Sequence, residues 1–332
     1  MPSNDWKIVL LHSQKNTLLK RAFENSFGDR VLSLHVPALG EEDKYGYRTT
    51  RGALMNYFRR QVYDSGIWDG RVLTVYGNGQ FHHATYALSH FARERRGLGY
   101  DGRDWTYFHF DQHRDDWGKR RANGEPFHID CASFVDQIAY YHQAVPFMVG
   151  PSVYAKKDSQ GYRINGQEIP IYSNQFPKSM QRSKSWRSNK VLESVTDARR
   201  LPSRRDLQET PTESYLSFDL DLLSTTEIVT NYDQNEYMTL RALVPMLDRV
   251  REYKRIFSAD ILGFPDECSH PLSVLTMLIL ARKIMGMGMS RLLEYHSYAK
   301  RRQAGLGIYL GNTERESPIE EGELMELLKW AQ

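Results

Sequence analysis

Three short stretches of the chain concentrate side chains that bind divalent cations. Asp111-Gln112-His113-Arg114-Asp115 follows the apolar run Phe108-His109-Phe110, and Ser217-Phe218-Asp219-Leu220-Asp221 closes a second run. A glycine turn after Tyr76, Gly77-Asn78-Gly79, leads to His82-His83. Carboxylate oxygens suit hard divalent ions, and neutral imidazole suits borderline ones such as manganese or zinc. Strand alternation would send positions 111, 113 and 115 to one side, and 219 and 221 likewise. Four carboxylates and two histidines are too many for one tetrahedral zinc; they suit two metals a few ångströms apart sharing a bridging hydroxide. Either motif alone could be a turn capping the next helix. Their recurrence at the ends of separate strands favours a site.

The elements that must position these residues follow a βα grammar. Strands are expected at 6–11, 30–36, 71–76, 104–110, 213–219 and 255–262, with helices at 16–27, 49–64, 82–96, 133–141 and 237–254, the last kinked at Pro245. Leu272 to Met289 reads as one buried helix, and Ile319 to Trp330 as a terminal one. Such alternation implies an α/β fold, three-layer α/β/α with a mostly parallel central sheet. Ligands of open parallel sheets bind outside the carboxyl ends of the strands, where all three clusters fall. Asn165-Gly166 signals a hairpin between 161–164 and 167–172. The chain is expected to form one domain over 1–332, with a basic surface insertion at about 156–210.

Composition narrows the classes. A length of 332 residues, 40% hydrophobic and 26% charged, excludes wholesale disorder. No apolar run approaches the roughly 20 residues of a membrane helix. The N-terminus lacks a basic region followed by a long apolar core, so no signal peptide is expected. Cys131 and Cys268 cannot make a disulfide framework and read as small buried fillers, and a reducing cytoplasm is the expected compartment. The net charge of +3 is too balanced to argue for nucleic acid. The charge is nevertheless uneven: twelve basic residues against four acidic ones lie between Lys156 and Arg205. His109, His142, His270 and His296 lack a motif and read as ordinary core or surface histidines.

From Arg71 onward the series resembles the ureohydrolase superfamily (arginase, agmatinase and histone-deacetylase-like proteins). Its Asp-Ala-His-x-Asp is matched by residues 111–115, its Ser-Phe-Asp-x-Asp by 217–221 and, loosely, its Gly-Gly-Asp-His-Ser turn by 77–83. The resemblance implies two manganese ions, with other divalent metals as substitutes. His82, Asp111, Asp115 and Asp219 would hold one; Asp111, His113, Asp219 and Asp221 the other. His83 is the fallback for His82. Asp115 would also orient the metal-bound hydroxide. His128, a short loop after the metal motif, matches the histidine that relays protons to the leaving amine, and Asp130 is placed to touch a cationic substrate. Arginases carry a guanidinium-gripping glutamate where this chain has Gly263; Asp266 or Glu267 could supply that carboxylate instead.

The implied activity is a manganese-dependent, arginase-like hydrolysis of linear amidine C–N bonds. The displaced glutamate, long loops and basic insertion resemble the peptide arginases of ribosomal-peptide (RiPP) biosynthesis, which convert peptide arginine to ornithine with release of urea. The basic insertion could dock an acidic leader peptide, or be a solvated loop. Free arginine, another small guanidine, or a deacetylase-like amide are the alternatives. The expected partner is an arginine-containing peptide or small guanidine, with neither nucleic acid nor membrane. A third reading, a decayed hydrolase that holds nucleic acid, is opposed by the intact ligand set.

Overall fold

The structure is a computed structural model. It describes residues 6–12, 15–35, 49–65, 70–77, 81–99, 104–113, 115, 129–149, 163–164, 167–168, 171–172, 204–230, 238–265, 267–306 and 317–330. The strands are β1 Trp6–His12, β2 Val31–His35, β3 Arg71–Tyr76, β4 Trp105–Phe110, β5 Val145–Val149, β6 Arg163–Ile164, β7 Gln167–Glu168, β8 Ile171–Tyr172, β9 Glu213–Asp219 and β10 Arg255–Leu262. The helices are α1 Thr17–Phe27, α2 Arg51–Gln61, α3 Ala84–Arg96, α4 Phe134–Tyr141, α5 Arg204–Glu209, α6 Leu240–Tyr253, α7 Pro271–Met285, α8 Ser290–Leu306 and α9 Glu321–Trp330.

Eight strands form one sheet in the order β2-β1-β3-β10-β9-β4-β5-β8, and every described pairing is parallel. The central strands are nearly continuous apolar runs because both faces are covered. Ile8 and Leu10 of β1 face one core with α1, α6, α7, α8 and α9, while Val9 and Leu11 face the other with α2, α3 and α4. This is the three-layer α/β/α arrangement that the βα alternation implies. Helix α7 is buried along its whole length, as an apolar sequence without a polar face requires.

Several boundaries differ from the sequence expectation. The helix expected over 272–289 ends at Met285, where Gly286 takes the left-handed conformation (φ 73°) that closes a helix, and α8 begins at Ser290. Helix α6 keeps Pro245 inside it. Strand β5 escapes the sequence reading because Pro146 breaks the apolar run. Pro146 pairs with Tyr107 of β4, but β8 meets β5 only at Met148 and Val149, so no described ladder bond needs its missing N–H. The expected hairpin around Asn165-Gly166 is present as β6 and β7, with Ile164 opposite Gln167. Residues 171–172, within the expected insertion, extend the main sheet instead; most of 156–203 lies outside the described residues. Among those described, no helix is long and apolar enough to cross a membrane.

Candidate metal centre

Register places the site before any side chain is considered. His109 of β4, Ser217 of β9 and Asp260 of β10 are neighbours across three adjacent strands. One level earlier on the same face stand Tyr107 and Tyr215. Asp111, Asp219 and Asp221 follow at the carboxyl ends, where the ladder stops.

The chain does not continue as strand through the first motif. Strand β4 ends at Phe110, residues 111–113 bend, and Asp115 has a positive φ of 50°. Alternation therefore does not bring 111, 113 and 115 together. A turn does: the His113 amide donates back to Asp111 Oδ1, leaving His113 half-exposed beside the buried Asp111. Asp219 likewise accepts from the Asp221 amide at 3.1 Å and opens the tight turn Leu220–Leu222. Capping and converging are here the same geometry.

Two groups of donors result. His82 Nδ1 lies 3.0 Å from Asp111 Oδ2, 3.0 Å from Asp115 Oδ2 and 3.4 Å from Asp219 Oδ2. His113 Nδ1 lies 2.9 Å from Asp221 Oδ2 and 3.4 Å from Asp111 Oδ1. Asp111 thus turns one oxygen to each group. His83 is buried at the N-cap of α3, outside both groups. Asp221 is held by the Gln112 amide on Oδ1 (3.2 Å), which leaves Oδ2 for the cluster.

The donor set fits divalent cations. His82 Nδ1, Asp111 Oδ2 and Asp221 Oδ2 are fully buried and make no aligned hydrogen bond, although each lies 3.0 Å or less from another donor of the cluster. Buried polar atoms that converge without bonding one another are unfavourable unless something charged joins them. Protons do so in the metal-free state. Burial, then the Asp111 charge, raises Asp115 to about 7 and Asp221 to about 6. Burial opposes protonation of His82, but the carboxylates of Asp111 and Asp115 at 3.0 Å outweigh it and hold its pKa well above the usual value.

Behind the donors lies a buried network that the sequence reading missed. Asp260 accepts from Ser217 Oγ (2.6 Å), Tyr215 Oη (2.7 Å) and Thr85 Oγ1 (2.9 Å). Since the Ser217 proton goes to Asp260, Ser217 Oγ must accept from His82 Nε2 at 3.1 Å. His82 then keeps a hydrogen on Nε2, so Nδ1, which carries the proton shared with the carboxylates in the metal-free protein, is the nitrogen that would offer a lone pair to a cation. Phe134, first residue of α4, packs on the same ring with centroids 4.4 Å apart. A carboxylate in the middle of an otherwise apolar strand was the available signal for Asp260.

His109 is also not an ordinary core histidine. Its Nε2 lies 3.1 Å from the His113 carbonyl and 3.4 Å from Asp111 Oδ2, and Nδ1 is 3.3 Å from Tyr107 Oη. A carbonyl only accepts, so Nε2 bears the hydrogen and His109 braces Asp111 as a donor instead of offering a lone pair. Burial first of all lowers its pKa to about 3, which keeps it neutral. Cys268 is buried, as a filler should be, but Cys131 is only partly buried; burial, then the charges of Asp115 and Asp130, raise its pKa to about 12.

The remaining expected residues are more scattered. His128 and Asp266 lie outside the described residues. Ile129, beside His128, is pinned by a two-way bridge to Thr49, the residue before the N-cap of α2. Asp130 lies just before α4, whose N-cap is Ser133; the Ser133 Oγ accepts from the Asp130 amide at 3.1 Å. Glu267 is half-exposed and pairs with Lys15 at 3.0 Å.

No protein-family model matches the chain, and no curated protein matches it by sequence. Solved structures do match. The arginase of Medicago truncatula aligns with a TM-score of 0.51 over 85% of this chain and 86% of that one, at 15% identity. The Entamoeba histolytica arginase, solved in complex with L-ornithine, aligns at 0.50 over 85% and 98%, at 10% identity. Proclavaminate amidino hydrolase from Streptomyces clavuligerus aligns at 0.50 over 85% and 90%, at 13% identity. The chain has the fold of these ureohydrolases; at such identities the likeness speaks to the fold alone.

Proposed function

We propose that this chain is a dinuclear metal-dependent hydrolase of guanidinium groups. The observation that supports the reading most is the convergence of His82, Asp111, Asp115 and Asp219, beside His113 and Asp221, with His82 Nδ1, Asp111 Oδ2 and Asp221 Oδ2 buried and making no aligned hydrogen bond. In this reading His82, Asp111, Asp115 and Asp219 hold one manganese ion, and Asp111, His113, Asp219 and Asp221 the other. Other divalent ions with the same taste for oxygen and imidazole would fit. Bound cations would supply acidification of a water and charge stabilisation at the amidine carbon.

The chain's own residues do the rest. Asp115, whose Oδ2 faces His82, orients the attacking water and accepts its proton. His128, next to the anchored Ile129, passes a proton to the departing amine. Asp130 meets the positive charge of the substrate, with Asp266 and Glu267 as further carboxylates for that role. Water adds to the guanidinium carbon, the bond to the substrate amine breaks, and urea and ornithine leave.

Within this chemistry the substrate we favour is arginine inside a peptide. Gly263 brings no carboxylate to the end of β10, so the reading does not depend on the grip used for free arginine. The basic stretch between Lys156 and Arg205 offers a surface for an acidic leader. The test loads the full chain with manganese and offers free arginine and an arginine-containing peptide in parallel, with mass spectrometry for urea and ornithine. Ornithine in the peptide alone is the expected result. Ornithine from free arginine alone overturns the peptide assignment, and no bound metal overturns the hydrolase.

A further inference from the structure

Gly263 directly follows β10, immediately beside Asp219. Its neighbour Leu262 is the register partner of Asp219, and its amide donates to the Gly77 carbonyl at 2.9 Å, tying the ends of β10 and β3 together. The backbone there has φ of +98°, a conformation that favours glycine. A Cβ at this position would stand 2.2 Å from Asp219 Oδ1, 3.3 Å from its Cγ and 3.0 Å from the Leu220 amide nitrogen. The space a side chain would take is filled by the Asp219 carboxylate. That carboxylate is itself set in place by the Asp221 amide on Oδ1, while Oδ2 faces His82 at 3.4 Å.

We propose that Gly263 is a positioning residue: its missing side chain lets Asp219 adopt the orientation in which it joins the two donor groups. The proposal rests on the two-metal reading above. It has a consequence for specificity. At the backbone conformation this chain adopts (φ +98°), a side chain at 263 would take the space of the Asp219 carboxylate, so Gly263→Glu is expected to disturb the centre instead of restoring the grip that arginases build there.

The chain supplies its own control. Gly97 also has a positive φ, +68°, but a Cβ there would meet nothing within 4 Å. Gly97→Ala therefore carries a backbone penalty of the same kind without a collision. The experiment titrates manganese by calorimetry into the full-length wild type, Gly263→Ala, Gly263→Glu and Gly97→Ala. It also follows thermal unfolding in chelator for Gly263→Ala in the wild-type and Asp219→Ala backgrounds. Gly263→Ala and Gly263→Glu are expected to weaken manganese binding by about 10-fold or more, and Gly97→Ala to leave it unchanged. In the metal-free protein Gly263→Ala is expected to lower Tm more in the wild type than beside Asp219→Ala, where the collision is relieved. If Gly263→Ala is insoluble, soluble protein should return in the double variant. Wild-type metal affinity in Gly263→Ala, faster cleavage of free arginine by Gly263→Glu, equal Tm losses in both backgrounds, or an insoluble double variant would each overturn the proposal. A wild type that binds no manganese would instead overturn the two-metal reading, while the chelator comparison would still judge Gly263.

Discussion

Replacing Asp260 with asparagine tests whether the buried network sets the chemistry of His82 or merely braces the sheet. The carboxylate now accepts three hydroxyl hydrogen bonds, at 2.6, 2.7 and 2.9 Å. In Asp260→Asn one end becomes a donor. If the amide NH2 faces Ser217, the serine must accept there and turn its own proton toward His82 Nε2. The imidazole hydrogen then moves to Nδ1, the atom that faces Asp111, Asp115 and Asp219. If it faces Tyr215 and Thr85 instead, those two hydroxyls lose their acceptor. Bonds to a charged acceptor contribute about 1.5–3 kcal/mol each and are roughly twice as strong as neutral ones, so three weakened bonds represent about 2–4 kcal/mol. A neutral amide escapes part of the burial penalty that raises the Asp260 pKa, which leaves an expected net stability loss of about 1–3 kcal/mol. Metal affinity should fall by about 10- to 100-fold, equivalent to roughly 1.4–2.7 kcal/mol. Manganese titration by calorimetry, paired with urea unfolding in chelator, reads both quantities, and Ser217→Ala should move affinity in the same direction. Unchanged manganese affinity in an Asp260→Asn protein that has lost stability would refute the tautomer argument and leave only a brace.

Three further outcomes follow from the same geometry. In the metal-free protein Asp115 and Asp221, raised to about 7 and about 6, bind more protons folded than unfolded. The stability they contribute is therefore complete below about pH 4 and lost as pH rises to about 7, while buried His109, lowered to about 3, acts in the opposite sense; the loss of Tm with pH in chelator should therefore be smaller in Asp115→Asn than in the wild type. Asp111, held low, titrates below this window. Saturating manganese should shrink that difference, because cation and protons compete for the same oxygens; identical metal-free pH profiles of Tm in wild type and Asp115→Asn would contradict the scheme. Glu227 is buried after the second metal motif, 3.2 Å from His296 Nε2 and 3.5 Å from Lys300 Nζ of α8. Removing it as Glu227→Ala should destabilise by about 3 kcal/mol in urea unfolding, with a much smaller loss for Glu227→Gln. The half-exposed pair of Glu267 with Lys15 should matter little: Glu267→Ala should change stability by less than about 1 kcal/mol.

The amino-acid sequence alone determined the layering, the strands that carry the site and the residue types that gather there. It could do so because these are local properties. Short, β-branched apolar runs bounded by turn residues favour strands, as β3, β9 and β10 are, and carboxylates and histidines recurring at the ends of several such strands point to cations. What failed locally were features whose stability comes from elsewhere. Pro146 hides β5, which exists because β4 receives it; the amphipathic α8 follows a glycine closure at Gly286 that the apolar pattern ran through. Tertiary structure alone decided the rest of the centre. Which of two adjacent histidines faces the carboxylates depends on a turn and on where α3 begins. His109, Ser217 and Asp260 acquire their roles only because three strands distant in sequence share one register. The necessity of Gly263 is invisible until the Asp219 carboxylate is seen filling the space beside it. Periodicity records which face a residue takes; the direction of a hydrogen, or the volume left beside a glycine, is set by neighbours that only folding brings within 3 Å.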